Sequence, residues 1–217
     1  LARELEIALP REFTTDQNIA LIKEYVQKEF VDRGMIADIC LHYGKRGEEY
    51  NPHAHVLLTM RTVDENGFGK KNTEWNKRSL LKEWRESWAN CLNKHLSLNG
   101  YDIRVDHRSL KDQGIDLKPQ NVELPNDAKE RLNDQQARQI NIMRENGERL
   151  LANPEIGLLA ITRTQSTFTE LDMARYLNTR TADAEQFNIV FEKMKAHESL
   201  IVLAIEDSRA VYTTQEM

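Results

Sequence analysis

The chain has 217 residues and a mass of 25.3 kDa, enough for one large domain or two small ones without metal or disulfide staples. With 40% hydrophobic and 30% charged residues, only 5 Pro and 9 Gly, the composition excludes a disordered or fibrous chain. Its apolar runs fall short of the roughly 18 residues of a membrane-spanning helix. The formal charge of −5 is unevenly placed: residues 1–118 hold 19 basic and 19 acidic residues, residues 119–217 hold 11 and 16. The window 61–94, with 8 basic and 5 acidic residues, reads either as a surface for a polyanion or as a solvated mixed-charge face. Cys40 and Cys91 sit in apolar patterns without metal spacing, which predicts buried thiols in a reducing compartment, the cytoplasm, and no role for either. The start, Leu1-Ala2-Arg3-Glu4, carries no basic-then-apolar signal pattern and reads as a chain cut in its middle.

Residues 2–9 alternate, with Glu4, Glu6 and Ala8 on one face and Leu5, Ile7 and Leu9 on the other, so they predict a strand ended by Pro10. Thr14 or Thr15 can cap a helix with the stripe Ile19, Ile22, Val26 and Phe30, closed by a left-handed Gly34. Met35–Tyr43 alternates again, setting Asp38, Cys40 and His42 opposite Ala37, Ile39 and Leu41. A turn-rich Gly44–Pro52 leads into a strand at His53–Arg61. A helix over Ser79–Leu98, with the stripe Leu81, Trp84, Trp88, Cys91 or Leu92, and His95, stops at Asn99-Gly100, and Tyr101–Asp106 predicts a further short strand. Residues 119–154 are polar, with a helix-prone segment from about Asp127 to Leu151, and read as a connector. Beyond it come three short helices, near Glu155–Arg163, after a Thr169 cap, and over Asp183–His197. Apolar runs Leu200–Ile205 and Ala210–Thr213 then flank the turn Glu206–Arg209. The expectation is an α+β fold: a domain over 1–118, a connector over 119–154, and a small helical, winged-helix-like module over 155–217 that folds by itself.

His53-Ala54-His55 places two imidazoles on one face of a strand, about 7 Å apart along it. His42, near the end of the preceding strand, comes beside them if the two strands pair antiparallel. Three neutral imidazoles with open positions suit a Lewis-acid metal that must still bind a phosphate. Histidines alone leave zinc, manganese and magnesium open. The pattern His-x-His-x-Asp-His, like the one with three alternating histidines, fails at Leu57, and a second His-x-Thr or His-x-Ser does not occur.

The surrounding words are more specific. Ala2-Arg3-Glu4-Leu5-Glu6-Ile7-Ala8-Leu9-Pro10, Asn51-Pro52-His53-Ala54-His55-Val56-Leu57-Leu58-Thr59-Met60-Arg61, Trp84-Arg85-Glu86-Ser87-Trp88, and Val105-Asp106-His107-Arg108-Ser109-Leu110 with Gly114-Ile115-Asp116 follow one another in order. Together they closely resemble the MobA/MobL family of plasmid mobilisation relaxases, and within it the TraA type, over about residues 1–119. Gln165–Thr169, Ala184–Phe187 and Thr213–Met217 resemble the segment that precedes a helicase motor in TraA-type proteins.

The resemblance implies a histidine-hydrophobe-histidine endonuclease on an antiparallel sheet of split βαβ type with helices on one face. It implies a divalent metal ion (Mg, Mn or Zn) on His42, His53 and His55, with Glu4 and Glu6 orienting a histidine or helping to activate a tyrosine. The partner it implies is single-stranded DNA at an origin of transfer, with relaxosome proteins and no membrane. Arg61, Lys70 and Lys71 are expected near the site mouth as phosphate contacts. In the family the nucleophilic tyrosine precedes the Ala-Arg-Glu strand, so the sequence reads as a truncated relaxase. Tyr25 is expected to pack a helix, and Tyr43 and Tyr50 to lie at a strand end or in a loop. No Gly-x-x-x-x-Gly-Lys-Ser/Thr occurs, so no ATP-driven motor is expected. The alternative is a non-catalytic DNA- or relaxosome-binding module.

Overall fold

A computed structural model describes residues 2–44, 50–120, 129–206 and 209–215, apart from the side chains of 64, 129–134 and 206. They form two compact units, Leu1–Asn99 and Gly100–Met217. The Gly44–Pro52 connection, the start of the connector helix, the centre of the Glu206–Arg209 turn and the last two residues lie partly or wholly outside the described residues.

In the first unit, alternation becomes strands β1 (Ala2–Ala8), β2 (Ala37–His42) and β3 (His53–Thr59). β3 lies between the other two and is antiparallel to both, so β1 and β2 run parallel and α1 (Thr15–Glu29) joins them. Thr14 caps α1: its hydroxyl accepts from Gln17 N, and Gln17 accepts from Thr14 N, which satisfies two otherwise orphaned donors. α1 ends at Glu29, and the left-handed Gly34 (φ 92°) closes the short 3-10 turn Val31–Arg33 that follows, rather than the helix itself.

One face of the sheet is covered. Ala54, Val56 and Leu58 are buried, and the Arg3 guanidinium on this face lies 5.5 Å over the ring of Trp84 from α2 (Arg78–Leu98). Leu21, Ile22, Tyr25, Val26 and Phe30 complete this core with Trp84, Ala89, Leu92 and Leu96. The buried stripe of α2 is therefore rotated from the expected one: Leu81 is exposed, while Cys91 and His95 are half-buried on the flank. Trp75, in the 3-10 turn Thr73–Asn76, is buried as well. The sequence reading missed a hairpin after β3, formed by β4 (Arg61–Asp64) and β5 (Gly67–Lys71).

The second unit holds α3 (Lys129–Ala152), α4 (Glu155–Thr162), β6 (Phe168–Thr169), α5 (Glu170–Asn178), α6 (Ala184–Lys195), β7 (Leu200–Glu206) and β8 (Arg209–Thr214). Thr169 caps α5 and Asp183 caps α6, and the small antiparallel sheet has the order β6-β8-β7. Residues 101–106 are not a strand. Arg104 N donates to Thr164 O at 2.6 Å, and Asp102 accepts from Ser166 N and Oγ, so this run is tied by a side chain and one backbone bond instead of a ladder. The unit begins earlier than the expected 118/119 boundary, because Ile115 and Leu117 are buried with Leu150, Leu158, Phe168, Met173, Leu177, Val190 and Met194 in one core. Residues 100–154 thus contribute core to the module expected over 155–217. No helix among the described residues is long and apolar enough to cross a membrane.

Candidate metal centre

The open face of the first sheet carries Glu4, Glu6, Asp38, Cys40, His42, His53, His55 and Leu57, because strand side chains alternate and the other face is covered. Register brings them together: His42 lies opposite His53, and His55 stands between Glu6 on one side and Cys40 on the other. Leu9 N donates to Pro52 O at 2.9 Å, fastening the end of β1 to the start of β3 beside the histidines.

The three ring centroids lie 4.8 to 5.2 Å apart, and one nitrogen from each falls within 4.8 Å of the other two. Two rings are oriented by their second nitrogen. His53 Nδ1 is 2.7 Å from Asn51 O, and His55 Nδ1 is 2.7 Å from Glu4 Oε1. Since a carbonyl and a carboxylate only accept, each Nδ1 is the donor, and in the neutral ring that leaves the Nε2 lone pair for a metal. Imidazoles so held, with the exposed His42 as third donor, fit a divalent ion with positions left for water or phosphate oxygen.

Of the two carboxylates, Glu4 makes the bond to His55, although Glu6 is the one directly across from it. Arg61, Lys70 and Lys71 are exposed, but they lie on the hairpin beyond the Thr59 end of β3, whereas the histidines occupy its His53 end. The strand from His55 to Arg61 covers up to about 20 Å. Arg61 is also engaged within the hairpin, donating from Nη1 to Gly69 O at 2.8 Å.

Some features escaped the sequence reading. Cys40 is exposed on the histidine face instead of buried. Leu57 is 47% exposed on the same face and Phe68, beside Lys70 and Lys71, is 67% exposed; the only sequence signal for Phe68 is an aromatic between two glycines before two lysines. Arg3 ties β1 down, donating to Trp75 O at 2.9 Å and to Asn76 Oδ1 at 2.7 Å. Tyr25 packs α1 as expected. Its hydroxyl donates to Trp84 O at 2.9 Å, and its ring meets Phe30 and Trp88 edge-on. The Tyr43 hydroxyl is buried without a hydrogen-bond partner among the described residues.

Comparison with known proteins decides the family: the model of the MobA/MobL family matches residues 1–131. The chain belongs to the MobA/MobL family. This MobA/MobL chain is 36% identical, over an alignment 219 positions long, to the conjugal transfer protein TraA of Agrobacterium fabrum (strain C58), covering 86% of the chain and 20% of that relative. It is 33% identical over 137 residues to mobilization protein A of Escherichia coli, covering 55% of the chain and 19% of that relative. A solved chain described as "Molecular Basis of Vancomycin Resistance Transfer in Staphylococcus aureus" is 41% identical, with a TM-score of 0.45, covering 50% of this chain and 57% of that one. The MobA/MobL chain spans about a fifth of the length of these two curated relatives.

Proposed function

We propose that this chain carries the metal-binding and DNA-binding part of a conjugative relaxase acting on single-stranded DNA at an origin of transfer. The observation that supports the reading is the triad His42, His53 and His55, with two rings held by Asn51 O and Glu4 so that their Nε2 atoms are free, in a chain of the MobA/MobL family. On this reading the β1-α1-β2 unit with β3 inserted is the split βαβ core of a histidine-hydrophobe-histidine endonuclease. A bound divalent ion (magnesium, manganese or zinc) would supply positive charge at the scissile phosphate.

The chain's own groups do the rest. Glu4 fixes the His55 tautomer, and Glu6, on the same face, is placed to take a proton from an incoming hydroxyl. Transfer forms a bond from a tyrosine oxygen to phosphorus and releases the 3′ oxygen, leaving a 5′ phosphotyrosine. The hydroxyls of Tyr25 and Tyr43 are buried, which disfavours both as the nucleophile, and we take that role to belong to the tyrosine that in the family precedes the Ala-Arg-Glu strand. Arg61, Lys70 and Lys71 contact phosphates, and the exposed Phe68 offers a stacking surface for a base. In the second unit, β6-α5-α6-β7-β8 is read as a winged-helix-like module. Its strand β7 exposes Val202, Leu203 and Ile205, which supports a protein contact, with relaxosome proteins as partners in the cytoplasm.

The test is a denaturing gel of labelled origin oligonucleotide. The chain alone is expected to give no covalent adduct, and supplying the tyrosine-bearing segment, fused or in trans, should create a metal-dependent one that His53→Ala abolishes. DNA binding that neither the metal nor His53→Ala affects, with no adduct under any condition, would favour the non-catalytic binding module.

A further inference from the structure

The first unit brings a second set of metal-ligating side chains together, on the helices rather than on the sheet. Cys91 and His95, four residues apart, share one face of α2. Glu24 on α1 faces them: its Oε2 is 2.9 Å from His95 Nε2 and its Oε1 is 2.7 Å from Lys94 Nζ. The Cys91 sulfur, a His95 nitrogen and a Glu24 oxygen all lie within 4.8 Å of one another. Ligands around a tetrahedral ion sit about 3.5 Å apart, given metal–ligand bonds of about 2.0 to 2.3 Å. Closing these three onto one ion therefore takes side-chain shifts of about an ångström. The His95 side chain is only 12% exposed and so already held, while Cys91 and Glu24 line a cleft of about 490 Å³ that gives water access to a fourth position.

We propose that Glu24, Cys91 and His95 form a zinc site that clasps α1 to α2, separate from the histidine triad. The donor set selects the ion: one thiolate, one imidazole and one carboxylate are borderline-soft and disfavour magnesium or calcium. The charges close, since thiolate and carboxylate together neutralise a divalent cation. On binding, the Cys91 thiol loses its proton to solvent and the His95 proton moves from Nε2 to Nδ1. Lys94 keeps Glu24 Oε1 or swings into water, as an exposed lysine can. The role is structural: α1 and α2 are the helices of the core beneath the sheet that bears the triad, and a clasp between them stabilises that support.

Cobalt substitution of the full chain tests this, because thiolate-to-cobalt charge transfer absorbs in the near ultraviolet and only a cysteine-containing site produces it. In a variant with His42→Ala, His53→Ala and His55→Ala, one equivalent of cobalt should bind and give that band. Cys91→Ser should remove both, Glu24→Gln should weaken binding at least about tenfold, and Cys40→Ser should change neither. If the triple variant does not fold, the same comparison is made in wild type, where two equivalents should fall to one on Cys91→Ser and the band should vanish. Zinc should also raise the melting temperature of the folded background and not that of its Cys91→Ser derivative. Absence of the band, or a band that follows Cys40 instead of Cys91, overturns the proposal; either result leaves the reading of the triad standing.

Discussion

Glu4 and Glu6 have the same chemistry two residues apart on one strand face, yet only Glu4 bonds to an imidazole, reaching His55 diagonally at 2.7 Å. A carboxylate behind a ligating histidine raises its basicity and fixes its ring, an effect of about 10- to 100-fold in metal affinity. Calorimetric titration with manganese or zinc should therefore show Glu4→Ala weakening the triad's affinity by that factor, with His55→Ala losing most of it. A Glu4→Ala protein that binds as tightly as wild type would mean that the bond orients nothing. Tyr25 gives a second expectation, because burial first, and the Glu29 carboxylate second, push its hydroxyl well above the ordinary tyrosine value. The folded state thus disfavours the phenolate. Its contribution to stability is complete below the unfolded value of about 10 and is lost as pH rises toward the folded one. Tyr25→Phe should cost about 0.5 to 1.5 kcal/mol at neutral pH through the missing bond to Trp84 O. It should also flatten the fall of the melting temperature above pH 10, read by thermal scans across that range.

At the scale of elements, what the sequence made legible followed from periodicity. β1, β2 and β3 alternate over six or seven residues, and both the histidine pair and the carboxylates fall on one face once that alternation is recognised. Register is what alternation leaves open, so the choice of Glu4 over Glu6 could be made only with the strands paired. The β4–β5 hairpin was missed because it is short, polar and exposed on both sides, with a register shift between Arg61 and Val63 that breaks the pattern. Tyr101–Asp106 failed in the opposite way. Its residues alternate, but β-pairing needs a partner strand, and Asp102 accepting from Ser166 ties the run down without one. In α2 the apolar stripe is wide enough for two rotations, and burial of Ala89 and Leu96 chose the one that moved Cys91 and His95 to the flank. The hairpin now carries the DNA expectation: Lys70→Ala with Lys71→Ala should weaken single-stranded DNA binding and reduce its logarithmic salt slope by about 0.7 for each phosphate no longer neutralised. Phe68→Ala should weaken binding by about 1 to 3 kcal/mol with the salt slope kept, since stacking releases no counterions. Fluorescence anisotropy over a salt series separates the two, and unchanged affinity and slope in the lysine pair would place the phosphate path elsewhere.

For the chain as a whole, the division at Asn99/Gly100 places residues 100–118 with the second unit, although the words Val105–Leu110 and Gly114–Asp116 carry part of the family resemblance. The reason is physical: Ile115, Leu117 and Leu150 are buried at 0 to 7% exposure in the core built by α4, α5 and α6. Asn146, itself 1% exposed, accepts from Lys118 N at 2.7 Å and donates to Lys118 O at 2.9 Å, stitching this segment to α3. Each of those three side chains contributes about 1.5 to 3 kcal/mol when fully buried, and a domain of this size has about 5 to 15 kcal/mol in all. A fragment of residues 155–217 lacks all three as well as the Asn146 pair, so it should not melt cooperatively, contrary to what its own helices and hairpin suggest. A fragment of residues 100–217 should. One starting at 119 keeps Leu150 but loses Ile115 and Leu117, and should melt well below the 100–217 fragment or not fold at all. Thermal unfolding followed by circular dichroism on the three fragments orders them. A cooperative transition in residues 155–217 at the temperature of the longest fragment would show that the core does not need the residues before α4.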